Sequence, residues 1–237
     1  MLRLALLLAV GVLMSFAASA TSSVSASDGG QLTPRTRLAC YPAQFSAFKP
    51  RLLKLADQFG VKQTLSIDFP DTVCAPTPGK STGYVTCYHT TLKATNTPSA
   101  VVRGSDDLGA INTRVDVKGL LFCVPAARID NAPGSPAKDL DSFACYPSLG
   151  PQLGRMGVTV TDDFGSGSET ISTRSTLCAP AAIGSTRLID RHLGLSCYGV
   201  GSNVKGTSVL MRDQFGLLKA ALGARTRVCA ALTLAPY

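Results

Sequence analysis

Eight cysteines, two histidines and a few paired carboxylates are the residues of this 237-residue chain with the means to do chemistry. Cysteines hold metals or form disulfides. A zinc site draws on close cysteine pairs or on histidine, yet no C-x-x-C pair occurs and His89 and His192 are the only imidazoles. An even count of cysteines at regular spacing points to disulfides instead. Either histidine could serve as the base of a secreted hydrolase, with a serine and an aspartate gathered from elsewhere in the fold. Ser46-Ala47-Phe48-Lys49 has the spacing at which a lysine activates a serine nucleophile, but no S-D-N or K-T-G follows it. Gly165-Ser166-Gly167-Ser168-Glu169 lacks the order of a nucleophile elbow, and no βα alternation surrounds it. Carboxylates are paired at Asp106-Asp107, Asp162-Asp163 and Asp139/Asp141. The run from Asp162 to Glu169 lacks the spaced acidic ligands of a calcium loop. These observations leave no catalytic residue, cofactor or metal ligand assigned.

A fourfold repeat positions these residues. Asp57-Gln58-Phe59-Gly60 recurs as Asp213-Gln214-Phe215-Gly216, as Asp162-Asp163-Phe164-Gly165 and, more weakly, as Asp106-Asp107-Leu108-Gly109. Upstream of each copy stands a Cys-Tyr pair: Cys40-Tyr41, Cys87-Tyr88, Cys145-Tyr146 and Cys197-Tyr198. Downstream stands an apolar residue followed by a second cysteine: Val73-Cys74, Phe122-Cys123, Leu177-Cys178 and Val228-Cys229. The repeat accounts for all eight cysteines and four of the six tyrosines.

Within a module, alternation marks the strands. Leu53 and Leu55 flank Lys54 before Asp57, and Leu65 and Ile67 alternate with polar residues after Gly60. Two strands around Asp-Gln-Phe-Gly make a hairpin. The aspartates Asp57, Asp106, Asp162 and Asp213 suit the first position of a type I turn, and Gly60, Gly109, Gly165 and Gly216 its left-handed exit, in a three-residue loop with a glycine bulge. The turn itself needs no apolar residue, so Phe59, Leu108, Phe164 and Phe215 are expected to pack on a neighbouring module. Phe45 to Phe59 and Leu217 to Leu222 look helical in isolation, but the repeat makes both strand. Pro76, Pro125 and Pro180, each two residues past a closing cysteine, are expected to stop the strand there.

The expectation is an all-β protein of four disulfide-closed, three-stranded modules, paired into two small β-sandwich or barrel-like halves. Residues 35–130 hold the first two modules, 142–237 the last two, and 131–141, with Pro133, Gly134, Ser135 and Pro136, the linker. Because each unit carries its own cysteine pair, the expected bridges are Cys40–Cys74, Cys87–Cys123, Cys145–Cys178 and Cys197–Cys229, with Cα atoms about 4.4–6.8 Å apart. The tyrosine beside each first cysteine is expected to pack on the disulfide with its hydroxyl at the rim.

Residues 1–20 have the layout of a secretory signal peptide: Arg3, an apolar run from Leu4 to Met14, and small residues for cleavage after Ala20 or Ala26. Residues 21–34 are too polar and small to fold and form a disordered lead. No later stretch is long and apolar enough for a transmembrane helix, and the cysteine usage fits a secreted or periplasmic location. The net charge of +8 is dispersed rather than gathered on one stripe, which argues against a specific nucleic-acid interface. A basic exported protein is drawn to anionic envelope polymers.

The tandem Cys-Tyr, Asp-Gln-Phe-Gly and Leu-Cys-x-Pro units resemble a family of exported bacterial domains of unknown function, over about residues 38–230. Phe122-Cys123-Val124-Pro125 and Leu177-Cys178-Ala179-Pro180 carry the closing motif best. The family's basic residue after that proline has counterparts in Lys80 and Arg128, and in the third module only in the more distant Arg187. The resemblance implies the repeat architecture and no activity. The reading reached is an exported, non-enzymatic β-repeat protein with a structural, adhesive or ligand-binding role at or outside the cell envelope. Its candidate partners are an anionic envelope polymer or another exported protein. The alternatives are a hydrolase using His89 or His192 and a dedicated binder of anionic polymers.

Overall fold

A computed structural model describes residues 37–59, 62–77, 83–92, 99–130, 134–150 and 153–236. The expected signal peptide, the disordered lead, Gly60 and Lys80 lie outside the described residues.

The described residues form strands joined by turns and loops, with no helix. The first module comprises β1 (Arg37–Phe45), β2 (Arg51–Asp57) and β3 (Lys62–Thr77), and the second β4 (Tyr84–Leu92), β5 (Ser99–Asp106), β6 (Gly109–Asp116) and β7 (Leu121–Arg128). The third comprises β8 (Ser142–Pro147), β9 (Met156–Asp162) and β10 (Gly165–Ile183), and the fourth β11 (Leu193–Val200), β12 (Ser208–Asp213), β13 (Gly216–Leu222) and β14 (Arg227–Leu234). The long third strand expected of each module is continuous as β3 and β10. In the second and fourth modules it is broken, between β6 and β7 and between β13 and β14.

The first and last strands of every module pair antiparallel, as β1–β3, β4–β7, β8–β10 and β11–β14. Successive modules pair in the same sense, as β3–β4, β7–β8, β10–β11 and β14–β1. These eight pairings close a ring, without making a regular barrel. The two halves are thus the two sides of one ring, which leaves these strands no free edge to template aggregation. The hairpins β2–β3, β5–β6, β9–β10 and β12–β13 extend from it and dock on distant modules. Asp57 at the end of β2 pairs with Ala181 of β10, Asp213 of β12 with Ala126 of β7, and Ser105 of β5 with Thr233 of β14. At the last contact Gly104 is required, because a Cβ there would stand 2.4 Å from the Thr233 carbonyl oxygen.

Side chains one residue apart on a strand face opposite ways, and this separates two cores. All eight cysteines, with Leu38, Val85, Phe143 and Leu195 two residues before the first cysteine of each module, form one buried cluster inside the ring. The tyrosines next to the cysteines lie on the opposite face, in two other clusters with the hairpin side chains. The expectation that tyrosine packs on the disulfide is therefore corrected by the period of the strand.

The four expected bridges are present. Their Cα atoms stand 3.9–4.0 Å apart, closer than expected, because the partners face each other directly on adjacent strands. The prolines do not end their strands: Pro76 pairs with Leu38, Pro125 with Val85 and Pro180 with Phe143. On its other side each lies just past the last paired residue of the neighbouring strand, so the missing N–H faces no ladder partner.

Candidate functional site

The hairpin turns are the points where modules meet. Asp106 pairs with Gly109, Asp162 with Gly165 and Asp213 with Gly216, so two residues rather than three form each loop. The exit glycines have φ of 127°, 144° and 135°, a conformation that side chains strain to adopt. One carboxylate oxygen of each turn aspartate accepts the amide two residues on: Asp57 from Phe59 at 3.0 Å, Asp106 from Leu108 at 2.9 Å, Asp162 from Phe164 and Asp213 from Phe215 at 2.8 Å.

The other oxygen serves a role the sequence reading missed. It accepts the hydroxyl of a tyrosine two modules away. Tyr41 of the first module donates to Asp162 of the third at 2.7 Å, and Tyr146 of the third donates to Asp57 of the first. Tyr88 donates to Asp213 and Tyr198 to Asp106, joining the second and fourth modules in both directions. The turn phenylalanine packs on the same tyrosine: Phe164 on Tyr41 at 5.0 Å, Phe59 on Tyr146 at 5.8 Å and Phe215 on Tyr88 at 5.1 Å between ring centres. Leu108 takes that place against the cluster holding Tyr198. All four tyrosines are buried. Burial, reinforced by the aspartate beside each, raises the hydroxyl pKa of Tyr41, Tyr88 and Tyr146 and brings that of Tyr198 to about 12. Burial also raises the carboxyl of Asp213, against the opposing pull of the Tyr88 hydroxyl.

Arginines reinforce two of these latches. Arg225, fully buried, donates through Nε to the Tyr41 hydroxyl, through Nη1 to Glu169 and the Val160 carbonyl, and through Nη2 to Asp162 and the Gly165 carbonyl. Those five contacts match the five N–H donors of a guanidinium. Burial opposes its charge, but Asp162, Tyr41 and Glu169 outweigh burial and hold its pKa above the ordinary value. Arg174 donates to Ser196 and to the Tyr198 hydroxyl. In the sequence Arg225 is visible only as part of Arg225-Thr226-Arg227, and nothing in the other modules marks it. The acidic run from Asp162 to Glu169, considered as a calcium loop, is the wall of this arginine's pocket.

Each turn also reaches the junction between two other modules. At two junctions the second turn residue is matched: Asp107 pairs with Arg37, and Asp163 accepts the hydroxyl of Tyr84. Arg37 and Tyr84 each stand three residues before the first cysteine of a module. The equivalent positions of the third and fourth modules are Ser142 and Gly194, without a long side chain, and the turns facing those junctions carry Gln214 and Gln58. Both of these junctions hold an open cleft, of about 470 Å³ beside Gln214 and about 510 Å³ beside Gln58. The linker segment 134–141 borders the former, and Asp141 ties it to the loop before β11 by accepting the amides of Ile189 and Asp190.

The sequence-selected histidines take no part in the Tyr–Asp latches. His89 is stacked on the exposed ring of Phe69 at 5.1 Å, and His192 places Nδ1 3.3 Å from the Leu234 carbonyl oxygen. Ser46 and Lys49 lie between β1 and β2, where the Ser46 amide donates to the Lys219 carbonyl. No group of three or more metal-ligating side chains occurs among the described residues. The chain matches no family model, and no curated protein or solved structure is similar to it.

Proposed function

We propose that this is an exported, non-enzymatic β-repeat protein that presents a rigid surface for ligand binding or adhesion at or outside the cell envelope. The observation that carries the reading is the use to which the repeated side chains are put. The cysteines close each module, and tyrosine, turn aspartate and turn phenylalanine join one module to another, so the repeated residues serve the scaffold. The parts that differ from module to module are the junctions, and those offer the binding surface. Four disulfides are compatible with an oxidising, exported location, and the leader-like residues 1–20 support export by a cleaved signal peptide. Membership of the exported bacterial family that the motifs resemble is part of the proposal.

The experiment is a substrate screen of the purified, oxidised protein on esters, peptides and glycosides. The expected result is no turnover. Turnover abolished by His89→Ala or His192→Ala would replace this reading with the hydrolase alternative. The anionic-polymer alternative draws support from the basic side chains at one junction and is taken further below.

A further inference from the structure

We infer that the cleft at the junction of the third and fourth modules binds a short stretch of an acidic glycan, an inference that rests on the binding reading above. The four junctions supply the comparison. Where Arg37 or Tyr84 fills the space, the facing turn residue has a partner. At the third junction in the chain, Gly194 stands in that position with Leu234 and the Cys178 carbonyl packed where a side chain would be; the cleft of about 510 Å³ opens beside Gln58, whose Nε2 is buried without a hydrogen-bond partner. A volume of this size suits a small ligand of one or two sugar rings.

Three basic side chains line the cleft: Arg187, Arg191 and His192. The loop that carries them is built rather than loose. Thr186 and Ile183 exchange hydrogen bonds, Asp141 accepts the amides of Ile189 and Asp190, and Asp190 accepts that of His192. Across the end of β2, and sharing Ala56 with the first cleft, lies a second of about 440 Å³ with Lys54 and Lys62 at its wall. On the opposite face of β3 from Lys62, Gln63 is 8 % exposed, with neither Nε2 nor Oε1 partnered. Among the described residues lining the two clefts Asp57 is the only acid, and its carboxylate is engaged by Tyr146 and by its own turn.

The chemistry that matches is negative charge on a hydroxyl-rich backbone. The cations take carboxylate or phosphate, and the Gln58 amide at the wall of the first cleft, both donor and acceptor, takes a sugar hydroxyl. A single-stranded nucleic acid is a poorer match, because among the described residues no Phe, Tyr or Trp lines either cleft to stack a base. A flat bilayer cannot enter a concave junction.

The test measures binding of the oxidised protein to trigalacturonate, to a phosphorylated maltotriose, to neutral maltotriose and to a twelve-residue oligothymidylate. The expected result is salt-sensitive binding of one or both charged trisaccharides, with the two arms telling carboxylate from phosphate as the charge recognised. In Arg187→Gln/Arg191→Gln, whose side chains are exposed and whose melting should be unchanged, affinity falls about tenfold or more. Lys118→Gln, at the other end of its module, leaves it unchanged. Equal affinity for neutral maltotriose, an unaltered double variant, or tighter binding of the oligothymidylate each overturns the inference. The trisaccharide is recovered and analysed afterwards. Cleavage would sink the non-enzymatic reading, whereas intact sugar that never bound sinks only the assignment of this cleft.

Discussion

Replacing Tyr88 by phenylalanine isolates one latch. The ring stays, so its edge contact with Phe215 and its burial are retained, and only the hydroxyl that Asp213 accepts is lost. Asp213 is 6 % exposed, and its other carboxylate oxygen still holds the Phe215 amide at 2.8 Å. A hydrogen bond to a charged acceptor contributes about 1.5–3 kcal/mol, and a buried acceptor left short of a donor adds a desolvation penalty. The expected loss at neutral pH is about 2–3 kcal/mol, or about 4–12 °C in melting temperature for a chain of this size. The pH dependence supplies a sign. Burial already raises the Asp213 pKa in the folded protein, and the Tyr88 hydroxyl pulls it down. Without that hydroxyl the folded value rises further above the unfolded one. A group raised in this way is favourable when protonated and becomes a cost as pH climbs through its folded value. The destabilisation of Tyr88→Phe should therefore be largest at neutral pH and shrink on acidification. Guanidinium unfolding of both proteins, disulfides intact, at neutral pH and near pH 4 checks this. A loss under about 0.5 kcal/mol at neutral pH, or one that grows as pH falls, would refute the latch.

Three further outcomes follow from the same contacts. Arg225→Ala strands Asp162 and Glu169 in the interior, and a loss of about 3–5 kcal/mol is expected in chemical denaturation; a fall below 1 kcal/mol would contradict it. Tyrosine hydroxyls ionise near pH 10 in the unfolded chain, whereas Tyr41, Tyr84, Tyr88, Tyr146 and Tyr198 are all raised in the fold. Their stabilising contribution is thus complete below pH 10 and is lost above it, at about 1.4 kcal/mol per tyrosine per pH unit. Ultraviolet titration should show these five silent until one cooperative unfolding between roughly pH 10 and 12. Limited reduction followed by peptide mapping should give Cys40–Cys229 and Cys123–Cys145 as the leading non-native bridges, since those sulfurs already stand 3.7 and 3.6 Å apart. A random mixture of bridges would show that sulfur proximity does not direct exchange.

The disulfide pairing, the hairpins and the strand content were legible because the repeat carries them within each module, where spacing alone decides. Contacts between modules were not, because a repeat says nothing about which copy touches which. Tyr146 and Asp57 are 89 residues apart, and only their joint recurrence in every module hints at a partnership. Adjacency in Cys-Tyr suggested contact with the disulfide, when alternation along a strand sends neighbouring side chains to opposite faces. Pro76 was read as a stop because propensity treats a missing donor as a loss everywhere. The structure sets it where no acceptor waits. The cleft beside Gln58 was out of reach of sequence, since its walls come from the first module's turn, the loop before β11 and the residues after β14, which lie far apart in the chain.

The Tyr–Asp latches join only the first module with the third and the second with the fourth. A polypeptide carrying just the first two modules would have every latch unmade, and two copies of it would meet all four. The seams agree: Cys123 faces Phe143 and Leu121 faces Cys145 across β7–β8, as Cys229 faces Leu38 and Arg227 faces Cys40 across β14–β1. The chain has the internal symmetry of a twofold dimer whose two subunits have been fused end to end, with residues 131–141 as the splice. Cut at that splice, the two fragments should behave as obligate partners that fold on meeting.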